Sequence, residues 1–200
     1  MFREGNVHLF HQINDFGFDY PFINTPFVFI AEYTVILLAL LVLFFFFGKQ
    51  TEKHRYMVLA GGFAFILAWI TGNLVGLLHH NYQPFHELEN VNQLIHKEID
   101  NSFPSDHTIL FFSFCVVFWL FNKRQIGWLI FAALVGLARI IVGVHYPLDV
   151  LVGALIATSF AILMYIWVPR SPFVNQLLHT YEKIENNILS RNKHKQNLEK

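Results

Sequence analysis

The stretch FVFIAEYTVILLALLVLFFFFG, residues 27–48, decides the fold. It contains one acid, Glu32, no base, and no turn signal before Gly48. A helix needs about 20 predominantly apolar residues to cross a hydrocarbon layer about 30 Å thick, and this stretch supplies them. A helix that is apolar all round belongs in lipid or in the core of a much larger protein.

Working outward, four further apolar runs lie near 56–79, 107–122, 126–144 and 149–168. The third is the shortest, Thr108 to Phe121, and takes its first turn from Pro104–His107. Composition agrees: the 200 residues are 54% hydrophobic and 14% charged, with 23 phenylalanines. Mean hydropathy is +0.43, well outside the soluble average. The expected architecture is an all-α polytopic transmembrane bundle of about five spans in a single domain, residues 1–200. Residues 1–26 form an interfacial segment, 27–168 the bundle and 169–200 an amphipathic tail on the cytoplasmic side.

The interfacial segment mixes Arg3, Glu4, His8, His11, Asp15 and Asp19 with Leu9, Phe10, Ile13 and Phe16, too polar to span. In the tail, Val174, Leu177, Leu178, Tyr181, Ile184 and Ile188 recur at helical spacing. The connection from His80 to Asp106 is long for a bundle, and Leu88, Val91, Leu94, Ile95 and Ile99 predict a short amphipathic helix within it. The single cysteine, Cys115, sits between Phe114 and Val116 and reads as a buried small apolar group.

Fourteen basic and fourteen acidic residues leave no net charge, which excludes a nucleic-acid-binding surface. The bases are instead sorted by side. An alternating five-span path puts Lys49, Lys53, Arg55, Lys123, Arg124, Arg170, Lys183, Arg191, Lys193, Lys195 and Lys200 on one face. The other face has only Arg3, Lys97 and Arg139. The positive-inside rule makes the first face cytoplasmic and the second external.

On that external face fall the residues suited to phosphate chemistry. Arg139, His145 and Asp149 bracket Gly143, Tyr146 and Pro147 at the junction of two spans. His145 and Asp149 are four apart, so the carboxylate can hold the imidazole's second N–H, while Arg139 offers a planar fork to phosphoryl oxygens. Pro104-Ser105-Asp106-His107 reads as a helix N-terminus. Its backbone N–H groups at Ser105, Asp106 and His107, with the Ser105 hydroxyl, are placed to face an anion. Two imidazoles flanking one phosphate can divide the roles of nucleophile and general acid. Glu32, inside the first span, is read as a site residue, as an acid snorkelling to the interface, or as one paired with Asn73 across the bundle. His79 and His80 could join His107 and His145 around a metal, but no i, i+4 histidine pair supports that.

These blocks resemble the type 2 phosphatidic acid phosphatase superfamily, whose pattern is K-x6-R-P, then P-S-G-H, then S-R-x5-H-x3-D. Within it, Phe103–Thr108 and His145–Val150 are most similar to the bacitracin-resistance undecaprenyl-diphosphate phosphatases. The resemblance implies His145 as nucleophile, Asp149 as its orienting partner, His107 as general acid, and Arg139 and Ser105 as phosphate binders. It also implies a polyprenyl diphosphate lipid as substrate, with neither metal nor other cofactor, and a place in the bacterial cytoplasmic membrane. Recycling of that carrier for wall synthesis would follow. Three positions depart from the pattern: Gln83 stands for arginine, Gly76 for lysine, and Ala138 for serine. Gln83 retains two N–H donors for a phosphate, and His79, His80 or His86 could return part of the charge. A phosphatidate or phosphatidylglycerol-phosphate phosphatase keeps the same site, and a non-catalytic lipid-binding or transport relative is the alternative that the departures raise.

Overall fold

The computed structural model describes residues 2–48 and 51–198, and side chains over 3–48 and 51–186. Lys49 and Lys200, counted above, lie outside the described residues, as do the side chains of Ile188, Arg191, Lys193 and Lys195.

The helices are α1 (Phe2–Asn14), α2 (Phe16–Asp19), α3 (Asn24–Phe47), α4 (Glu52–Leu78), α5 (Pro84–Glu87), α6 (Asp106–Phe121), α7 (Gly127–Ile141), α8 (Pro147–Trp167) and α9 (Pro172–Leu198). All five apolar runs are therefore helical. Proline opens α5, α8 and α9, where its missing N–H costs nothing. Ser105 opens α6 as its N-cap, accepting from the Thr108 N–H at 3.5 Å and the Thr108 hydroxyl at 3.0 Å.

Three segments are long and apolar enough to cross a membrane: Pro21–Phe47, Glu52–Leu78 and Pro147–Arg170. By contrast α6 and α7 have 16 and 15 residues. At about 1.5 Å per residue they fall short of a bilayer's hydrocarbon thickness. The turns they lack are replaced by buried non-helical chain, residues 102–105 before α6 and 142–146 after α7. Those two recessed turns carry the candidate residues Ser105 and His145.

Residues up to Tyr165 form one compact unit. In it α6 packs between α4 and α7, and α3 lies against both of these. Ala68, Ile109 and Ala157 meet at a fully buried point where α4, α6 and α8 converge, filled out by Phe65, Phe112 and Phe160. The two alanines are small enough to let membrane helices approach closely. Residues from Ile166 form a second unit, in which Val174 and Leu178 of α9 are buried while Leu177 and Ile184 are exposed.

The segment before α3 is docked on the bundle through two buried residues in particular, Phe10 and Asn14, with Asn6 accepting the Leu148 N–H at 3.0 Å. Phe10 is fully buried against Ile140 and Tyr146. Asn14, also fully buried, donates to the carbonyls of Ile140 at 3.3 Å and Ile141 at 2.8 Å. These are terminal carbonyls of α7, which have no partner within their own helix. Leu9, Phe16, Phe18 and Phe22 are exposed on its outside, among the exposed Arg3, Glu4, His8, Gln12 and Asp19.

The helix expected between Leu88 and Ile99 does not form. Beyond α5 the chain to Ser105 is irregular. Its apolar side chains are used, but by the bundle: Leu88 and Val91 pack on Phe10 and Tyr146, and Leu94 and Ile95 pack around Ala31, Ala138 and Val144. Its backbone donors are also claimed from outside, Asn92 N–H by Asn14 Oδ1 at 2.8 Å and Leu94 N–H by the Val142 carbonyl at 3.2 Å. With those N–H groups drawn across the bundle, no i to i−4 ladder closes. Ile99 is left 55% exposed.

Candidate active site

The turn from α7 to α8 is tight because Gly143 takes φ +82°, and a Cβ there would lie 2.8 Å from the Asn92 carbonyl oxygen. It delivers Arg139, His145 and Asp149 to one buried locus, each under 5% exposed.

His145 Nδ1 lies 2.9 Å from the backbone oxygen of Ser102. A carbonyl only accepts, so Nδ1 carries the hydrogen and Nε2 keeps its lone pair. The Ser102 hydroxyl, 3.3 Å from the same nitrogen, donates to Asp149 Oδ2. Asp149 Oδ2 also accepts from the Tyr146 N–H at 2.9 Å. The direct His145–Asp149 bond expected from their spacing is not made: Nδ1 and Oδ2 are 3.6 Å apart, and the Ser102 carbonyl takes the hydrogen instead. Asp149 acts on the ring through Ser102 and through the turn. Ser102, fully buried, is a residue that sequence reasoning missed. Its only signal was its place beside Phe103-Pro104, since its partners are 43 and 47 residues away.

Arg139 is pinned from α3, donating from Nη1 to the Ala31 carbonyl at 3.1 Å. Its Nε is buried without a partner. A buried donor left unpaired is costly unless an anion completes it. Glu32 follows Ala31, is exposed, and acts on Arg139 electrostatically. Asn73, its other suggested partner, instead donates to Trp69 of its own helix at 2.8 Å. His107, half-buried in the first turn of α6, lies within electrostatic reach of both Arg139 and His145. The two imidazoles and the guanidinium therefore share one neighbourhood.

The remaining expected residues have other partners. Ser105 is fully buried, and its N–H, read from sequence as facing an anion, donates to the Asp149 carbonyl at 3.2 Å. It ties the start of α6 to the start of α8. Asp106 is exposed. Gln83 is fully buried and held by Asp100: its Oε1 accepts from Asp100 N–H at 3.2 Å and its Nε2 donates to the Asp100 carboxylate. His79 stands edge-on to Phe103 with ring centroids 4.9 Å apart. Beside Asp149 a cavity of about 380 Å³ is walled by Arg3, His79, His80 and Glu87.

Burial above all, then the charges of Lys97 and Arg139, hold the His145 imidazole well below its ordinary value, against the opposing pull of the Ser102 carbonyl and Asp100. The ring is neutral near pH 7, and stays neutral until pH falls through that depressed value. The acid limb of a kcat/KM profile is therefore expected below pH 6.5, the ordinary imidazole value. A limb at or above it would show that the ring is not buried as described.

Residues 56–173 match the PAP2 superfamily. Over 195 residues the chain is 47% identical to the bacitracin transport permease protein BcrC of Bacillus licheniformis, covering 96% of this chain and 95% of that one. It is 33% identical over 191 residues to undecaprenyl-diphosphatase BcrC of Bacillus subtilis (strain 168), covering 93% and 96%. The crystal structure of Aquifex aeolicus LpxE superposes with a TM-score of 0.67 at 30% identity, over 80% of this chain and 94% of that one. The matched region runs from α4 to the start of α9 and holds both recessed turns, so the chain is a membrane protein of the PAP2 superfamily.

Proposed function

We propose that this chain hydrolyses undecaprenyl diphosphate to undecaprenyl phosphate and inorganic phosphate, at a site facing outward from the bacterial cytoplasmic membrane. The observation that carries the reading is the fixed tautomer of His145, whose free Nε2 lies in the neighbourhood of a guanidinium with an unpaired buried donor. The name of the Bacillus subtilis relative supports the substrate, and the sorting of lysine and arginine supports the orientation.

In this account His145 Nε2 attacks the terminal phosphorus in line. The P–N bond forms as the bond to the bridging oxygen breaks, and His107 gives its proton to the departing lipid phosphate. Bound diphosphate favours the protonated form of His107, because adjacent negative charge stabilises an imidazolium. Water then attacks the phosphohistidine and passes a proton to His107. Inorganic phosphate leaves, and the lone pair returns to Nε2. Arg139 binds the transferring phosphoryl oxygens, and Ser102 and Asp149 keep the imidazole aimed.

The name of the Bacillus licheniformis relative describes transport, which is the competing reading. A carrier needs cations to hold a lipid headgroup, but no imidazole locked in its nucleophilic tautomer. Phosphate release from undecaprenyl diphosphate, phosphatidate and phosphatidylglycerol phosphate, each with and without EDTA, separates the readings. The diphosphate is expected to be cleaved fastest and EDTA to change nothing. Faster release from either monophosphate lipid would reassign the substrate, and no release from any of them would favour transport.

A further inference from the structure

A diphosphate brings several negative charges into a site where Arg139 is the buried guanidinium, and phosphoryl transfer depends on cations placed around those charges. The two positions at which the resemblance expects cations, Gly76 and Gln83, carry none. The structure shows what occupies their places. A Cβ on Gly76 would lie 2.7 Å from the Phe103 carbonyl oxygen and 3.0 Å from Asn101 Nδ2. Asn101 Nδ2 itself donates to the Gly76 carbonyl at 2.9 Å. The segment entering α6 is thus seated directly on α4, where a long side chain at position 76 would lift it off.

Seating that segment puts Ser102 against His145 and Asp149, and brings Lys97 with it. Lys97 Nζ lies 3.4 Å from Asp100 Oδ1. Asp100 is clasped by both ends of the Gln83 amide. Gln83 thus spends its amide on Asp100 and not on a phosphate, as an arginine there would; it anchors the carboxylate that holds a lysine.

We propose that Lys97 is a substrate-binding cation of this site, presented to the diphosphate by Asp100 on Gln83, in place of cations at positions 76 and 83. The inference rests on the diphosphatase reading above. Its ammonium has three donors, of which Asp100 engages one. Among the charges acting on His145 that of Lys97 is the largest, ahead of Arg139, and it also reaches His107, Asp106 and Asp149. Its side chain is 24% exposed, so it borders the site and still opens to an arriving headgroup.

Two measurements test this. In the purified wild-type protein, inorganic phosphate is expected to protect Lys97 from amine acylation, mapped by mass spectrometry, while Lys183 is modified equally with and without phosphate. Modification of Lys97 that phosphate does not slow overturns the proposal. This readout needs no turnover, so it decides the role of Lys97 even if undecaprenyl diphosphate proves not to be the substrate. With that lipid as substrate, Lys97→Gln is expected to lower kcat/KM on the order of 100-fold, as loss of a charge-stabilising donor does. It should also move the acid limb upward, toward the ordinary imidazole value, and Lys97→Arg should recover most of the rate. A folded Lys97→Gln variant with kcat/KM and acid limb unchanged overturns the proposal.

Discussion

His145→Ala is expected to reduce phosphate release from undecaprenyl diphosphate by on the order of 10⁴-fold or more, the scale on which removal of a covalent nucleophile acts. The ring is 3% exposed, and its Nδ1 is fixed on the Ser102 carbonyl, which aims Nε2. The protein should still fold. The Ser102 hydroxyl donates to Asp149, and Asp149 accepts the Tyr146 N–H, whether or not an imidazole is present. Steady-state kinetics and a thermal unfolding scan on the same preparation check both halves. A variant that kept full activity would remove His145 from the chemistry, whereas one that lost activity and structure together would place it in the core alone.

The second large effect is at Arg139. Arg139→Met is expected to lower kcat by about 10²–10³-fold, because the guanidinium is directed at charge that develops on the phosphoryl oxygens. Arg139→Lys should rescue little: an ammonium is a point charge and cannot both bond the Ala31 carbonyl and present a second, parallel donor. Met fills similar space and removes a buried donor that lacks a partner, so stability should hold or rise. Equal losses in kcat and kcat/KM would mark an interaction made in the transition state. A rise in KM alone would reduce Arg139 to a binder of the ground state.

The spans were legible because a helix in lipid must be apolar over its whole circumference, and the run beginning at Phe27 announces α3, which starts at Asn24. Arg139, His145 and Asp149 were legible because one turn of chain joins them. Ser102, Asn14 and Lys97 were not. Ser102 reaches His145 across 43 residues, and Asn14 reaches Ile141 across 127, through backbone groups that have no sequence signature. The periodicity of Leu88–Ile99 misled because a strap lying on a helical bundle also buries a side chain every three or four residues. There the ladder lost to bonds from Asn14 and Val142. Gln83 and Gly76 were read as losses of charge; under the role proposed for Lys97, the seating of Asn101 on Gly76 makes them a different way of bringing charge in.

Rapid quench of the wild-type protein with terminally labelled undecaprenyl diphosphate tests the central claim most directly. The label is expected on position 145 as an acid-labile, alkali-stable phosphoramidate, formed and lost at rates compatible with turnover. Steady release of phosphate with no label ever on the protein, or with the label on His107, would contradict the account.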